Sequence, residues 1–168
     1  MATYPSLFAG QRITAALLTS MQPLHAAKTA TTDRTSTTTI TADPELQIAV
    51  AASAEYIFTF YLRISGTTAG DMDMKVTTPS GGSGSFSMTR LVAASGLDSG
   101  TRSSTRIAMN ATTEFSPVSQ SANQVIEGSG RLYTSSAGTF SIDWAQHTSS
   151  AVTTSMHADS WIQLRRIS

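Results

Sequence analysis

From Ala54 to Ser65 the chain alternates without a break. Tyr56, Phe58, Phe60, Leu62 and Ile64 fall on one side, and Glu55, Ile57, Thr59, Tyr61 and Arg63 on the other. A period of two over this length specifies a strand with one face in the core. Ile57 and Tyr61 make the second face partly apolar, so partial cover is expected there too. The alternation returns in Leu46-Ile48-Val50, in Met72-Met74-Val76, in Phe86-Met88-Arg90, in Thr105-Ile107-Met109-Ala111 and across Gln124 to Tyr133. Near the end, Phe140, Ile142, Trp144 and Gln146 oppose Ser141, Asp143, Ala145 and His147, the pattern of a half-buried strand. After a polar connection, Ile162 and Leu164 oppose Trp161, Gln163, Arg165 and Ile167. Asp43-Pro44 and Gly66 to Gly70 read as turns, Thr78 to Ser85 as a flexible loop, and Leu97 to Ser104 and Phe115 to Asn123 as surface connections. About eight to ten short strands so punctuated predict an all-β fold, an antiparallel β-sandwich of jelly-roll type.

The first thirty residues differ, and the expected division is an N-terminal arm over 1–30 and a β-domain over 31–168. Thr14 is placed as an N-cap, with Ile13 and Leu18 flanking it as a hydrophobic staple. A helix from Ala15 to Gln22 would end at Pro23. Ile13, Leu17, Met21 and Leu24 lie at helical spacing, and Leu7 and Phe8 add an apolar lead-in. A helix this short needs a surface to dock on. Either it packs against its own domain, or Leu7, Phe8, Ile13, Leu17, Leu18, Met21 and Leu24 anchor the domain on a larger assembly. Thr29 to Thr41 is polar and rich in β-branched residues, which favours an extended edge or intersubunit strand.

Composition narrows the function classes. Charged residues are 13% of the chain, and 11 Lys+Arg balance 11 Asp+Glu. That neutrality argues against a nucleic-acid or anionic-membrane partner, and weak charge favours association. With no cysteine, disulfides and thiolate chemistry are excluded. The N-terminal residues lack the basic-then-apolar pattern of a signal peptide, and no stretch has the length of a membrane span. Synthesis in a cytoplasm is the expectation.

The candidate chemistry is thin. His25, His147 and His157 stand far apart, without metal spacing. Asp143 and His147 share a strand face among many serines, but in so serine-rich a chain this is weak evidence for a triad. Asp71 and Asp73, beside Lys75, read as a solvated edge rather than a cation site. The glycines of Thr78 to Ser85 lack the lysine and helix start of a phosphate loop. Asn110-Ala111-Thr112 is a formal glycosylation sequon. Trp144 reads as core; Trp161, with Arg165 beside it, is a candidate surface-binding residue, since an aromatic face suits the apolar side of a sugar. No catalytic residue, cofactor or metal is expected.

Three stretches carry a family likeness: FAGQRITAALLTSMQPLHAAKTA; DRTSTTTITADPELQIAVAASAEYIFTFYLRISG with GDMDMKVTTPSG after it; and the terminal SAGTFSIDWAQHTSSAVTTSMHADSWIQLRRIS. The chain resembles the small structural proteins of tailed bacteriophages that infect actinobacteria; Leu91 to Asn123 carries least of the likeness. The last stretch is also similar to the closing strands of trimeric jelly rolls of the tumour-necrosis-factor and complement type. The resemblance implies a non-enzymatic virion component, a minor tail or fibre-type protein, with capsid decoration on the major capsid protein, or a receptor- or glycan-binding module, as the alternatives. It implies a homotrimer with other virion proteins, tail or capsid, as partners, located in the virion.

Overall fold

In the computed structural model, which describes residues 5, 7–67, 69–92, 101–115 and 124–168, the long alternating segment is strand β4 (Ala54–Ser65). It is hydrogen-bonded along nearly its whole length to β9 (Gln124–Thr134). The other elements are α1 (Ala15–Ser20), β1 (Leu24–Ala27), β2 (Thr32–Arg34), β3 (Thr41–Val50), β5 (Met72–Thr77), β6 (Ser83–Val92), β7 (Thr101–Ala108), β8 (Thr112–Phe115), β10 (Gly138–Ala145), β11 (Thr154–Met156) and β12 (Trp161–Arg166).

Eight strands pair as one folded ribbon: β3 with β10, β4 with β9, β5 with β8 and β6 with β7, all antiparallel. Wrapping that ribbon gives two sheets, β3-β10-β5-β8 and β4-β9-β6-β7, which is the strand arrangement of a jelly roll. β12 and then β1 extend the second sheet past β4, while β11 joins the far end of β4 to β2. The expected all-β antiparallel sandwich, with a short N-terminal helix, is therefore the fold.

The inward faces form one core. Phe58, Phe60, Phe86 and Phe140 meet with ring centroids 5.0–6.5 Å apart. Met72, Met74, Val76, Ile142 and Trp144 of the smaller sheet are wholly buried against them. Two glycines of β9 make room for the rings. A Cβ on Gly128 would overlap the Phe60 ring, and one on Gly130 would lie 2.6 Å from Phe86 Cβ. Both sit directly opposite those phenylalanines in register, so the missing side chains are filled by neighbouring rings.

Several expectations are corrected. The helix ends at Ser20 with Met21 as its C-cap, short of Gln22. Asp43-Pro44 is not a turn but part of β3, where the register with β10 shifts between Ser141 and Asp143. A bulge takes up the extra residues, and Pro44, with no N–H to donate, sits where a regular ladder is interrupted. Residues 101–104 belong to β7, not to a surface connection, and the strand ends at Ala108 before a turn at Met109–Asn110. Asn110 adopts φ 63° there, so Met109 and Ala111 do not continue the sheet. The loop after β5 is shorter than Thr78 to Ser85, since β6 starts at Ser83; Asn110 bonds the Thr78 amide and hydroxyl across its base. Of Thr29 to Thr41, only Thr32–Arg34 forms a strand ahead of β3, at an edge beside β11. β10 is not half-buried. Ser141, Asp143 and Ala145 are buried as well as Phe140, Ile142 and Trp144, because β10 lies between β3 and β5 and its polar groups bond one another. Phe115 belongs to β8, and the rest of the connection expected over Phe115 to Asn123 lies outside the described residues, as do 97–100 of the other.

Candidate functional site

The arm forms because Thr14, in an extended conformation, accepts the Leu17 amide through its hydroxyl at 3.2 Å, satisfying one of the free donors at the helix start. Among the described residues its own domain does not bury it. No residue of α1 is buried, and Leu7, Phe8, Ile13, Leu18, Met21 and Leu24 are all exposed, Phe8 by 74% and Ile13 by 71%. Leu17 alone of the seven is half-buried. The staple residues Ile13 and Leu18 therefore shield each other little. A hollow of about 260 Å³ lies between the arm and the sandwich, lined by Pro5, Ser20, Met21, Gln22, Arg165 and Ile167 among others. β1, inside the span 1–30, is paired with β12, so the arm leaves the sandwich directly from an edge strand.

Register explains the second candidate. Antiparallel pairing places Ala27, Trp161, Tyr61 and Glu127 in one row across the outer face of the large sheet, and His25, Gln163, Thr59 and Ser129 in the next. Trp161 consequently stacks on Tyr61, with centroids 6.3 Å apart and planes 9° from parallel, and His25 lies 6.3 Å from Trp161 on its other side. Arg165 lines an adjoining furrow of about 600 Å³ with Pro23, Ile57, Thr59, Ser129 and Gln163. Nothing in the sequence links Tyr61 and His25 to Trp161. The signal that finds them is strand register, which the alternation of one strand does not contain.

The polar candidates resolve differently. Asp143 accepts from Thr77 Oγ1 at 2.7 Å and Ser141 Oγ at 2.5 Å, with Lys75 at 3.9 Å. His147 turns away from it to Asp73, 3.1 Å from Nδ1, with Glu114 at 3.8 Å from Nε2. The bond to Asp73, and then its charge, raise the His147 pKa above the usual imidazole value. His157 Nε2 lies 2.8 Å from Ser65 Oγ, and burial followed by the Arg63 charge lowers its pKa. Among the described residues no three His, Cys, Asp or Glu side chains are grouped to hold a metal, and no helix is long and apolar enough to cross a membrane.

A further cluster escaped the sequence reading. Lys28, next after β1, is buried with its Nζ 2.8 and 2.9 Å from the two oxygens of Asp43 in the β3 bulge. Thr32 Oγ1 is 2.8 Å and Glu45 Oε2 3.5 Å from the same nitrogen. Trp144 Nε1 donates to Asp43 Oδ2 and the Glu45 amide to Oδ1, each at 3.1 Å. Hydrogen bonds from the Thr29 hydroxyl and amide, the Ala30 amide and the Lys28 charge together hold the Glu45 carboxyl down at about 2. Scarcity is the one sequence signal: the chain has two lysines.

No family model and no curated protein matches the chain. Among solved structures, one of infectious bursal disease virus Gt strain aligns with 87% of this chain and 40% of its own, at 5% identity and a TM-score of 0.18. This chain thus spans less than half the length of that one, and overlap this poor carries no argument about fold or role.

Proposed function

We propose that the chain is a structural subunit of a tailed-bacteriophage particle, docked through its N-terminal arm, and that its place is the tail or a fibre. One observation carries the assembly reading: a capped helical arm on which Leu7, Phe8, Ile13, Leu18, Met21 and Leu24 are exposed. Burying such side chains is worth roughly 25 cal/mol per Å² before ordering costs, and a neighbouring virion protein would supply the cover. The resemblance of the three stretches named from sequence to phage structural proteins supports the particle, and the jelly roll suits a trimer about a threefold axis. Quantitative mass spectrometry of purified particles tests the reading. A few to a few dozen copies per particle supports tail or fibre; hundreds would place the chain on the capsid surface as a decoration protein; absence would sink the structural role.

A second reading rests on the stacked Trp161–Tyr61 pair with His25 beside it. It makes the outer face a glycan-binding surface, with Gln163 and Arg165 to bond hydroxyls. Trp161→Ala would then abolish adsorption to host cells while leaving incorporation into particles unchanged.

A further inference from the structure

From the geometry around Lys28 we infer that this protein forms an intramolecular amide crosslink between Lys28 Nζ and Asp43 Cγ. The starting point is an amine and a carboxyl group that touch in a dry site. Both side chains have no exposed surface. A nitrogen close to both carboxylate oxygens lies about 3 Å from the carbon between them, at the near edge of the separation at which bound groups react. A buried ion pair costs desolvation that its own attraction barely repays. Condensation removes both charges, and the product amide finds its partners already in place.

The chemistry balances with nothing added. One proton passes from Nζ to the Asp43 carboxylate, giving a neutral amine and a carboxylic acid. The nitrogen lone pair attacks Cγ to form a tetrahedral intermediate. The Trp144 indole N–H and the Glu45 backbone N–H, each 3.1 Å from an Asp43 oxygen, are aimed at the oxygens on which negative charge develops. Glu45, whose carboxylate is 3.5 Å from Nζ, takes a proton from the nitrogen and delivers it to the departing hydroxyl. The C–O bond breaks, the carbonyl reforms, one water leaves and Glu45 is restored. Thr32 Oγ1, 2.8 Å from the nitrogen, is left to accept the new amide N–H. Because Glu45 is held ionised by Thr29 and Ala30, it acts as a base toward the attached nitrogen before it acts as an acid toward the hydroxyl.

The link joins the two sheets at their edges. Lys28 follows β1, the outermost strand of the large sheet, and Asp43 lies in β3, the outermost strand of the small one. The Lys28 amide is itself tied to Ser160 O at 2.8 Å. If the arm docks as proposed above, a pull on it would pass through β1 and the covalent link into the second sheet. The crosslink does not depend on that reading.

The test is the mass of the purified, denatured full chain, which involves no particle or partner. The expected result is a chain lighter by one water than its sequence requires. Trypsin should leave Lys28 uncut and release residues 13–34 joined to residues 35–63. Lys28→Arg keeps the charge but removes the nucleophile and should restore the full mass. Glu45→Gln should fold, by circular dichroism, yet lose water at least tenfold more slowly. Wild-type protein that is folded and still at full mass after prolonged incubation overturns the crosslink, as does water loss that persists in Lys28→Arg. Glu45→Gln linking as fast as wild type overturns the role given to Glu45.

Discussion

The arm and the sandwich are built from the same apolar residue types and treat them in opposite ways. In the sandwich, Phe58, Phe60, Leu62, Ile64 and Met74 are at most 3% exposed, whereas in the arm Leu7, Phe8, Ile13 and Leu18 are at least 54% exposed. The core is closed by its own chain: the ribbon folds back until the inward side chains of the two sheets face one another. The arm has a capped helix but no second layer. Hydrophobicity alone does not bury a residue. Burial needs a second apolar surface within reach, and the described residues do not provide one for the arm, so under the proposed function a partner does.

This contrast can be tested by substitutions that strike one region only. Phe58→Ala should have the largest effect, about 3–5 kcal/mol of lost stability in chemical denaturation, because four rings share one cluster. Ile13→Asp should stay within about 0.5 kcal/mol, since the side chain is already in water. Comparable losses from both would mean that the arm is part of the core. Gly128→Ala comes next, at about 1–3 kcal/mol, because the added methyl must displace the Phe60 ring; its melting temperature would show whether that ring can give way.

His147 probes a rim that is neither core nor arm. Its pKa is raised in the folded chain by Asp73, so its stabilisation is complete below the unfolded value of about 6.5 and is lost as pH rises through the higher folded value. An NMR titration should place His147 above 6.5, and Asp73→Asn should bring it back down. Thr14→Ala should have the smallest global effect. It removes the cap on Leu17, so amide exchange at Leu17 should speed up, while the melting temperature stays put because no residue of the helix is buried.

What could be read from sequence divides along physical lines. β4 and β5 were visible because alternation with one apolar face is a local signal, and Thr14 was visible because capping involves neighbours in the chain. Asp43 was misread because Asp-Pro favours a turn locally, while a buried lysine fifteen residues earlier decides its place in a bulge. Trp161 was noticed, but Tyr61 and His25 joined it only through the pairing of three strands. β10 was expected to show water one face. The mutual bonding of Asp143, Ser141 and Thr77 is tertiary, and no spacing announces it.

The most direct test of the central claim is to produce particles carrying Ile13→Asp together with Leu18→Asp and to count this chain per particle by quantitative mass spectrometry. The account predicts at least a tenfold loss of incorporation by a protein whose β-domain melts at the wild-type temperature. Incorporation at the wild-type level would show that the exposed arm is not what docks, and would contradict it.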